Sequence, residues 1–265
     1  MIRRHVMRLN GKNVFITGGT GGIGMPLVAL LRQEGALTTV YDQNTQGDLV
    51  ARMEDVCATL SANPPDILIN LAGYNHFARC EDQDVVSMLD INLIVPLRLI
   101  QAVLPAMKKR QSGHIVNMAS MVGLIPLPHM TVYAASKAGL KSFSDALRRE
   151  VESDGIYVTV ISPRAVRTAA NKGLLALLNQ RTGVQEDEPA MVARRILKAI
   201  IRKEKDVRIG WPERFFAALN ILQPSIIDSG LRKSRVIGEE IITNHNNTKE
   251  KTHETNLSAM RRAAL

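Results

Sequence analysis

Seven residues constrain the fold of this chain more than any others: Gly18-Gly-Thr-Gly-Gly-Ile-Gly24, set between Val14-Phe-Ile-Thr17 and Met25-Pro-Leu-Val-Ala-Leu-Leu-Arg-Gln-Glu34. A β-rich apolar run, a glycine loop and an amphipathic helical run, in that order, predict a strand–loop–helix unit at the start of an α/β fold. Glycines let the backbone turn tightly and approach a pyrophosphate, whose charge then rests on the helix N-terminus. Pro26 falls in the first turn, where its missing N–H costs nothing. Two registers fit the spacing, Gly19-x-Gly21-x-x-Gly24 and Gly18-x-x-x-Gly22-x-Gly24, and the residues alone do not choose. A glycine turn that holds no ligand is the plain alternative.

The next strand, Leu37–Tyr41, ends on Asp42. An acid about twenty residues past the loop can accept hydrogen bonds from an adenosine ribose and repel a 2′-phosphate, which argues for NAD over NADP. Asp42 capping a turn with Gln43 and Asn44 is the competing reading. The segment 44–50 is short where a doubly wound unit normally places a helix and a strand. Asp48-Leu49 therefore reads as the remnant of a third strand near the adenine, with a helix over 51–62. Asp66–Asn70 is the fourth strand, with small residues Ala72 and Gly73 at its carboxyl end, where ligands of open α/β sheets bind. A helical region over about 83–109 follows, to be kinked or ended locally by Pro96 and Pro105; within it Asn92 is a lone polar residue. His114–Met118, Ile156–Ile161 and Val207–Ile209 supply three more strands, with helices at 133–151 and 189–203 between them.

Ser120 lies just beyond the end of the fifth strand, on the side of the sheet where the glycine loop lies, and Tyr133 and Lys137 follow. The four-residue step places Tyr133 and Lys137 on one helix face. A free phenol titrates near pH ~10, and a neighbouring ammonium favours the phenolate and pulls that value toward neutrality. General acid–base chemistry needs such a match, although a surface Tyr–Lys contact is the commoner meaning of the spacing.

Charge excludes less than its total suggests. The net charge is +9, but residues 1–12 carry four basic residues and no acid, and 232–265 carry seven basic against four acidic, which leaves +2 for 13–231. A nucleic-acid partner is therefore not expected. Cys57 and Cys80 are too few for a disulfide framework or a zinc site and point to a reducing compartment, with a cytoplasmic location as the expectation. No apolar core of a signal peptide follows the N-terminal arginines, and no run of 18 uninterrupted apolar residues predicts a membrane span.

Taken together, Thr17-Gly18-x-x-x-Gly22-Ile23-Gly24, Asn70-x-Ala72-Gly73, Asn92, Ser120, Tyr133-x-x-x-Lys137 and Pro163 with Thr168 resemble the short-chain dehydrogenase/reductase family over roughly residues 11–210. The resemblance implies a single-domain Rossmann fold, a doubly wound seven-stranded parallel sheet, that interconverts a secondary alcohol and a ketone with a nicotinamide cofactor. It settles the glycine register as Gly18, Gly22 and Gly24. It implies that Tyr133 gives or takes the substrate proton, Lys137 lowers the pKa of Tyr133 and holds the nicotinamide ribose, Ser120 hydrogen-bonds the carbonyl and Asn92 positions a relay water. Cofactor contacts would come from Gly18, Thr20, Gly22, Ile23, Gly24, Asp42, Asp48, Leu49, Asn70, Ala72, Gly73, Tyr133, Lys137, Pro163, Val166 and Thr168, with no metal. Family members commonly form homodimers or homotetramers. Three positions depart from the family pattern: Leu71 replaces an asparagine, Arg164 a glycine, and the 43–50 region is shortened.

Domain boundaries follow: a basic arm at 1–10, a catalytic domain at 11–210, an amphipathic segment at 211–237 and a polar tail without regular structure at 238–265. The amphipathic segment suits a pocket cover or a subunit contact; a peripheral membrane contact is allowed but not favoured. Leu124, Ile125, Leu127, His129 and Met130, with the Leu-rich 173–178, suggest an apolar substrate such as a steroid-like or acyl ketone, and Arg164 could meet a substrate anion. An NADPH-dependent ketone or 3-oxoacyl reductase is the nearest alternative, and a non-catalytic dinucleotide-sensing interaction protein is the alternative from another class.

Overall fold

A computed structural model describes residues 7–263, with side chains over 7–248 apart from Asn44. Residues 1–6, with Arg3 and Arg4 of the expected arm, and 264–265 lie outside the described residues. Six strands form one parallel sheet: β1 Asn13–Thr17, β2 Leu37–Tyr41, β3 Ile67–Asn70, β4 Gly113–Met118, β5 Ile156–Ser162 and β6 Asp206–Arg208, in the order β2-β1-β3-β4-β5-β6. Between and after them run α1 Gly24–Gln33, α2 Gln43–Gln46, α3 Met53–Ala62, α4 Val85–Leu89, α5 Val95–Lys109, α6 Thr131–Glu150, α7 Leu174–Thr182, α8 Pro189–Arg202, α9 Trp211–Leu222 and α10 Pro224–Ala263.

Alternation along the strands decides which side chain meets which layer. Val14, Ile16, Ile67 and Ile69 face α1 and α8, where they meet Leu27, Leu31, Val192, Ile196 and Ile200. Phe15 and Leu68 point the other way, into Val56 and Leu60 of α3, Leu99 and Val103 of α5 and Leu147 of α6. Each aliphatic side chain so buried contributes about 1.5–3 kcal/mol of transfer free energy. Both faces are covered, and so the central strands β1 and β3 are near-continuous apolar runs, while β2 at the edge is partly exposed and β4 and β5 bury His114, Asn117 and Thr159 among their aliphatic residues. Because every strand is parallel, all six carboxyl ends open on one edge.

The sheet has six strands among the described residues rather than seven. Asp48 Oδ1 accepts from the N–H groups of Val50 and Ala51 at 2.8 and 3.0 Å, closing a turn where the third strand was expected. A side chain that captures its neighbours' amides removes the donors a ladder needs. Leu49 is still buried against α3. The helical region at 83–109 starts at Val85, capped by Asp84, and is broken by a π-turn at Asp90–Ile94, in which the N–H of Val95 reaches back five residues to Asp90 O. Pro96 has no N–H to give to the Asn92 carbonyl, which explains why the ladder loosens there. Pro105 is accommodated inside α5. The run Val85–Lys109 is, by length and composition alone, apolar enough to cross a membrane, although Ser87, Asp90, Asn92, Arg98 and Gln101 interrupt it. Here Leu99, Ile100, Val103 and Met107 of that run pack on the sheet.

The tail expected from 238 continues α10 as helix to Ala263. Ile237, Ile241 and Ile242 recur at helical spacing and bury against Leu175 and Leu178 of α7, and Arg79 pairs with Glu239 at 2.5 Å. Of the arm, Met7 donates to Ile201 O at 2.8 Å and Leu9 is buried.

His114 on β4 is fully buried, its Nε2 2.8 Å from Thr159 Oγ1 and its Nδ1 unpartnered. Burial holds its pKa down to about 3, so the folded state keeps a neutral ring. The unfolded chain takes up this proton near its ordinary value of 6.5, so the His114 contribution is intact above that pH and is lost as pH falls toward 3. We expect His114→Gln to flatten the acid limb of stability, by at most about 1.4 kcal/mol per pH unit, in denaturant titrations run from neutral to acid pH.

Candidate active site

The site assembles where the carboxyl ends of β1, β3, β4 and β5 meet α1 and α6. A cavity of about 900 Å³ runs from the glycine loop and the end of β2 to the start of α6. Its walls include Gly18, Thr20, Gly22, Ile23, Gly24, Asp42, Asp48 and Leu49 at one end, and Ala72, Gly73, Ser120, Tyr133, Lys137, Pro163, Val166 and Thr168 toward the other. Residues drawn from six separate stretches of the sequence thus share one surface.

Asn70 and Asn92 stand behind that surface. Asn70 Nδ2 donates to Asn117 Oδ1 at 2.8 Å, bracing the ends of β3 and β4. Asn92 uses both ends of its amide on the backbone of Tyr74, accepting from its N–H at 3.2 Å and donating to its carbonyl at 2.8 Å. Its side chain therefore shapes the turn at Gly73, where an added Cβ would lie 2.3 Å from Asn92 Oδ1 and 3.3 Å from Lys137 Nζ.

The glycine loop fits a dinucleotide in the register Gly18, Gly22 and Gly24. Gly18 has φ of 69°, and a Cβ there would lie 2.7 Å from the backbone nitrogen of Ala72; one on Gly24 would lie 2.2 Å from the Gly18 carbonyl. Only a residue without a side chain permits these backbone approaches. Gly22 has Thr168 against it, 2.7 Å from where a Cβ would stand, so the strand-end loop after β5 lies across the glycine loop. Helix α1 begins at Gly24 with no side-chain cap at Ile23; Met25 N–H donates to Gly21 O at 3.0 Å and Pro26 has no N–H, so the amides placed to meet an anion are those that precede Met25. Asp42 lines the cavity at the end of β2, its N–H donating to Gln46 Oε1 at 2.8 Å.

At the other end, Ser120 follows β4 and Tyr133 and Lys137 lie one turn apart on α6. Ser120 Oγ accepts from Val122 N–H at 3.1 Å and hydrogen-bonds the Tyr133 phenol. Lys137 Nζ lies 5.7 Å from the centre of the Tyr133 ring and donates to the Met118 carbonyl at 3.0 Å. Burial raises the pKa of Tyr133, opposed by the Ser120 hydrogen bond. Burial also lowers Lys137 to about 8. The expected lowering of Tyr133 by Lys137 is thus not what this arrangement produces: dry surroundings disfavour phenolate and ammonium alike.

Arg164 does not offer its charge to the cavity in the way expected. Its Nε and Nη2 donate to Asp187 Oδ1 at 3.0 and 2.7 Å, its Nη1 is 3.6 Å from Glu213, and the Asp187 hydrogen bond raises its pKa. These partners lie more than twenty residues away and no local pattern announces them. The same holds for Asn75, whose amide donates to Asn171 across the cavity at 3.0 Å. Tyr74, Asn179 and Glu213 are further wall residues that the sequence pattern did not single out. Ile125, Leu127, Met130 and Leu175 form an apolar region beside Tyr133.

A family model described as short chain dehydrogenase matches residues 50–177. A "Dehydrogenase/reductase SDR family protein 7-like" of Anopheles gambiae is 31% identical over 247 residues, 78% of this chain and 77% of that one. A "Dehydrogenase/reductase SDR family member 7B" of Danio rerio is 35% identical over 176 residues, covering 58% of this chain; the chain spans only 57% of that relative's length. The 3-oxoacyl-(acyl-carrier-protein) reductase of Vibrio harveyi is 31% identical over 209 residues, 69% of this chain and 84% of that one. Among solved structures, a short chain dehydrogenase from Burkholderia cenocepacia in complex with NADP superposes with a TM-score of 0.72 at 20% identity, over 85% of this chain and 99% of that one. A 4-hydroxyisoleucine dehydrogenase complexed with NADH gives 0.66 at 25% identity, over 75% and 96%.

The buried ammonium has a thermodynamic signature. With a folded pKa near 8 against 10.5 unfolded, Lys137 opposes folding at neutral pH, and this cost fades as pH rises from 8 through 10.5. We expect Lys137→Met to be more stable than the parent at neutral pH, by up to about 3 kcal/mol, and the difference to shrink in alkali. Melting temperatures of both proteins across that range check it.

Proposed function

This chain belongs to the short-chain dehydrogenase/reductase family, and from that premise we propose that it interconverts a secondary alcohol and a ketone of largely apolar character, with NAD preferred over NADP. One observation carries the reading: Ser120, Tyr133 and Lys137 converge at one end of a cavity that is continuous with the glycine loop and Asp42 at the other. A nicotinamide bound there supplies or accepts the hydride.

What the chain contributes is proton handling and placement. In the reducing direction Tyr133 gives its phenolic proton to the substrate oxygen as that oxygen gains negative charge, and in the oxidising direction it takes the alcohol proton. Ser120 already accepts from Val122, so its own hydrogen is left to donate to Tyr133 or to a carbonyl oxygen. Lys137 spends one N–H on Met118 O and keeps two for the cavity, where a ribose hydroxyl and the phenolate are the fitting acceptors. Its cation stabilises the phenolate once formed, although burial alone disfavours it. Asn92 acts as a positioning residue through Gly73. The apolar region of Ile125, Leu127, Met130 and Leu175 favours a hydrophobic substrate, and the Arg164–Asp187 pair argues against a free cation for a substrate anion. We propose a cytoplasmic location, on the two free cysteines.

Tyr133→Phe is expected to cut turnover by about 10²–10⁴-fold while leaving dinucleotide affinity, read by fluorescence titration, nearly as in the parent. Retained turnover would overturn the assignment. Preference is read as the ratio of kcat/KM for NAD(H) and NADP(H). We expect NAD(H) to lead, and Asp42→Gly to lower that ratio roughly tenfold or more, the worth of a charged hydrogen bond of about 1.5–3 kcal/mol. A parent that prefers NADP(H) would instead favour the NADPH-dependent ketone or 3-oxoacyl reductase reading.

A further inference from the structure

Helix α9 is amphipathic the wrong way round for a protein in water. Trp211, Phe215, Ala218 and Leu222 recur at steps of four, three and four, so they share one face, and all are exposed. Trp211 is 78% exposed, Phe215 65% and Leu222 77%. The opposite face carries the polar residues, turned into the body: Glu213 beside Arg164 at 3.6 Å, and Asn220 donating to the Leu124 carbonyl at 3.0 Å. Ile221 and Ile226, at the turn into α10, extend the apolar surface, each more than half exposed. A helix that seats its polar side chains inward and offers Trp, Phe and Leu outward gives up transfer free energy unless something apolar covers it.

The charges around this face select the cover. Arg214 lies beside the stripe, its guanidinium 5.7 Å from the Trp211 ring, and exposed Arg232 and Lys233 follow on α10. Residues 211–236 hold four basic and two acidic side chains, and one of those acids, Glu213, is turned inward to Arg164. Glu204 and Asp206, which share the adjoining cleft with Trp211 and Phe215, are each paired to an arginine, Arg195 and Arg208. An aromatic and aliphatic stripe with Arg214 beside it, on a helix of 12 residues in a segment richer in basic than in acidic side chains, has the make-up of an element that lies in the plane of an anionic interface. We propose that the outer face of α9, with the turn into α10, docks on an anionic phospholipid surface. Docking does not rest on the redox assignment. Because Glu213 on the inward side of α9 lines the cavity, docking sets one cavity wall at the lipid.

The test uses the full chain and vesicles of phosphatidylcholine, alone or mixed with phosphatidylserine. Trp211 is the only tryptophan, so its emission reports on this face alone. Expected are co-flotation with the phosphatidylserine vesicles, a blue shift of Trp211 emission and its quenching by brominated lipid. Phe215→Ser with Leu222→Ser should weaken vesicle binding by about a hundredfold, near tenfold for each side chain withdrawn from the lipid. Arg214→Glu with Lys233→Glu should abolish the preference for phosphatidylserine. Melting curves and circular dichroism report whether each variant folds, and Ile221→Ser supplies a milder change in the same direction. Absence of flotation with either vesicle, or equal binding by the folded apolar variant, would overturn the proposal. So would a dimer in sedimentation velocity that the apolar variant dissolves, because that result assigns the face to a second copy of the chain.

Discussion

One buried hydrogen bond, from Lys137 Nζ to the carbonyl of Met118, ties the start of α6 to the end of β4, and the site is indexed to it. Removing that lysine's partner would leave an ammonium in a dry setting, where an unpaired charge is costly. The bond therefore fixes which turn of α6 faces the sheet edge. Tyr133 and Ser120 fall into place because one is a turn before Lys137 on the helix and the other two residues past Met118 on the chain. Gly73 approaches the same nitrogen from the β3 side, and Asn92 Oδ1, 2.3 Å from where a Cβ would stand, is what bars a side chain from the turn there.

Much of this was legible in the residues because it rests on short-range periodicity. The unit β1–glycine loop–α1, the two-residue alternation of the strands and the four-residue step from Tyr133 to Lys137 each lie within a single element and its flanks. What was not legible depends on partners far along the chain. Arg164 is defined by Asp187 and Glu213, Asn75 by Asn171, and the helical continuation beyond 238 by Ile237, Ile241 and Ile242 finding α7. The missing strand is a local failure of another kind: Asp48 competes for its neighbours' amides, and a propensity reading does not weigh one side chain against a ladder. The direction of the Tyr133 shift was misjudged because spacing reports proximity but not dryness.

The interior is mostly close packing of aliphatic side chains on both sides of the sheet, with His114 as a polar exception inside it, on β4 against Thr159 of β5. The lysine kept from water is tied to the end of β4, and the helix with its apolar face outward lies beyond the last strand. A fold of this kind can afford them there because its cohesion comes from the layers between.

The π-turn at Asp90–Ile94 holds one more residue than the α-helical turn it replaces. Five residues at the wider pitch turn the chain about as far as four at α-helical pitch, so the surplus is absorbed inside the turn and α4 and α5 keep the phase of one continuous helix. The widening falls where Asn92 serves the backbone of Tyr74. A change of length by one residue within this turn is therefore felt by Asn92 and the bend at Gly73 beside it, while α5 keeps its seat on the sheet.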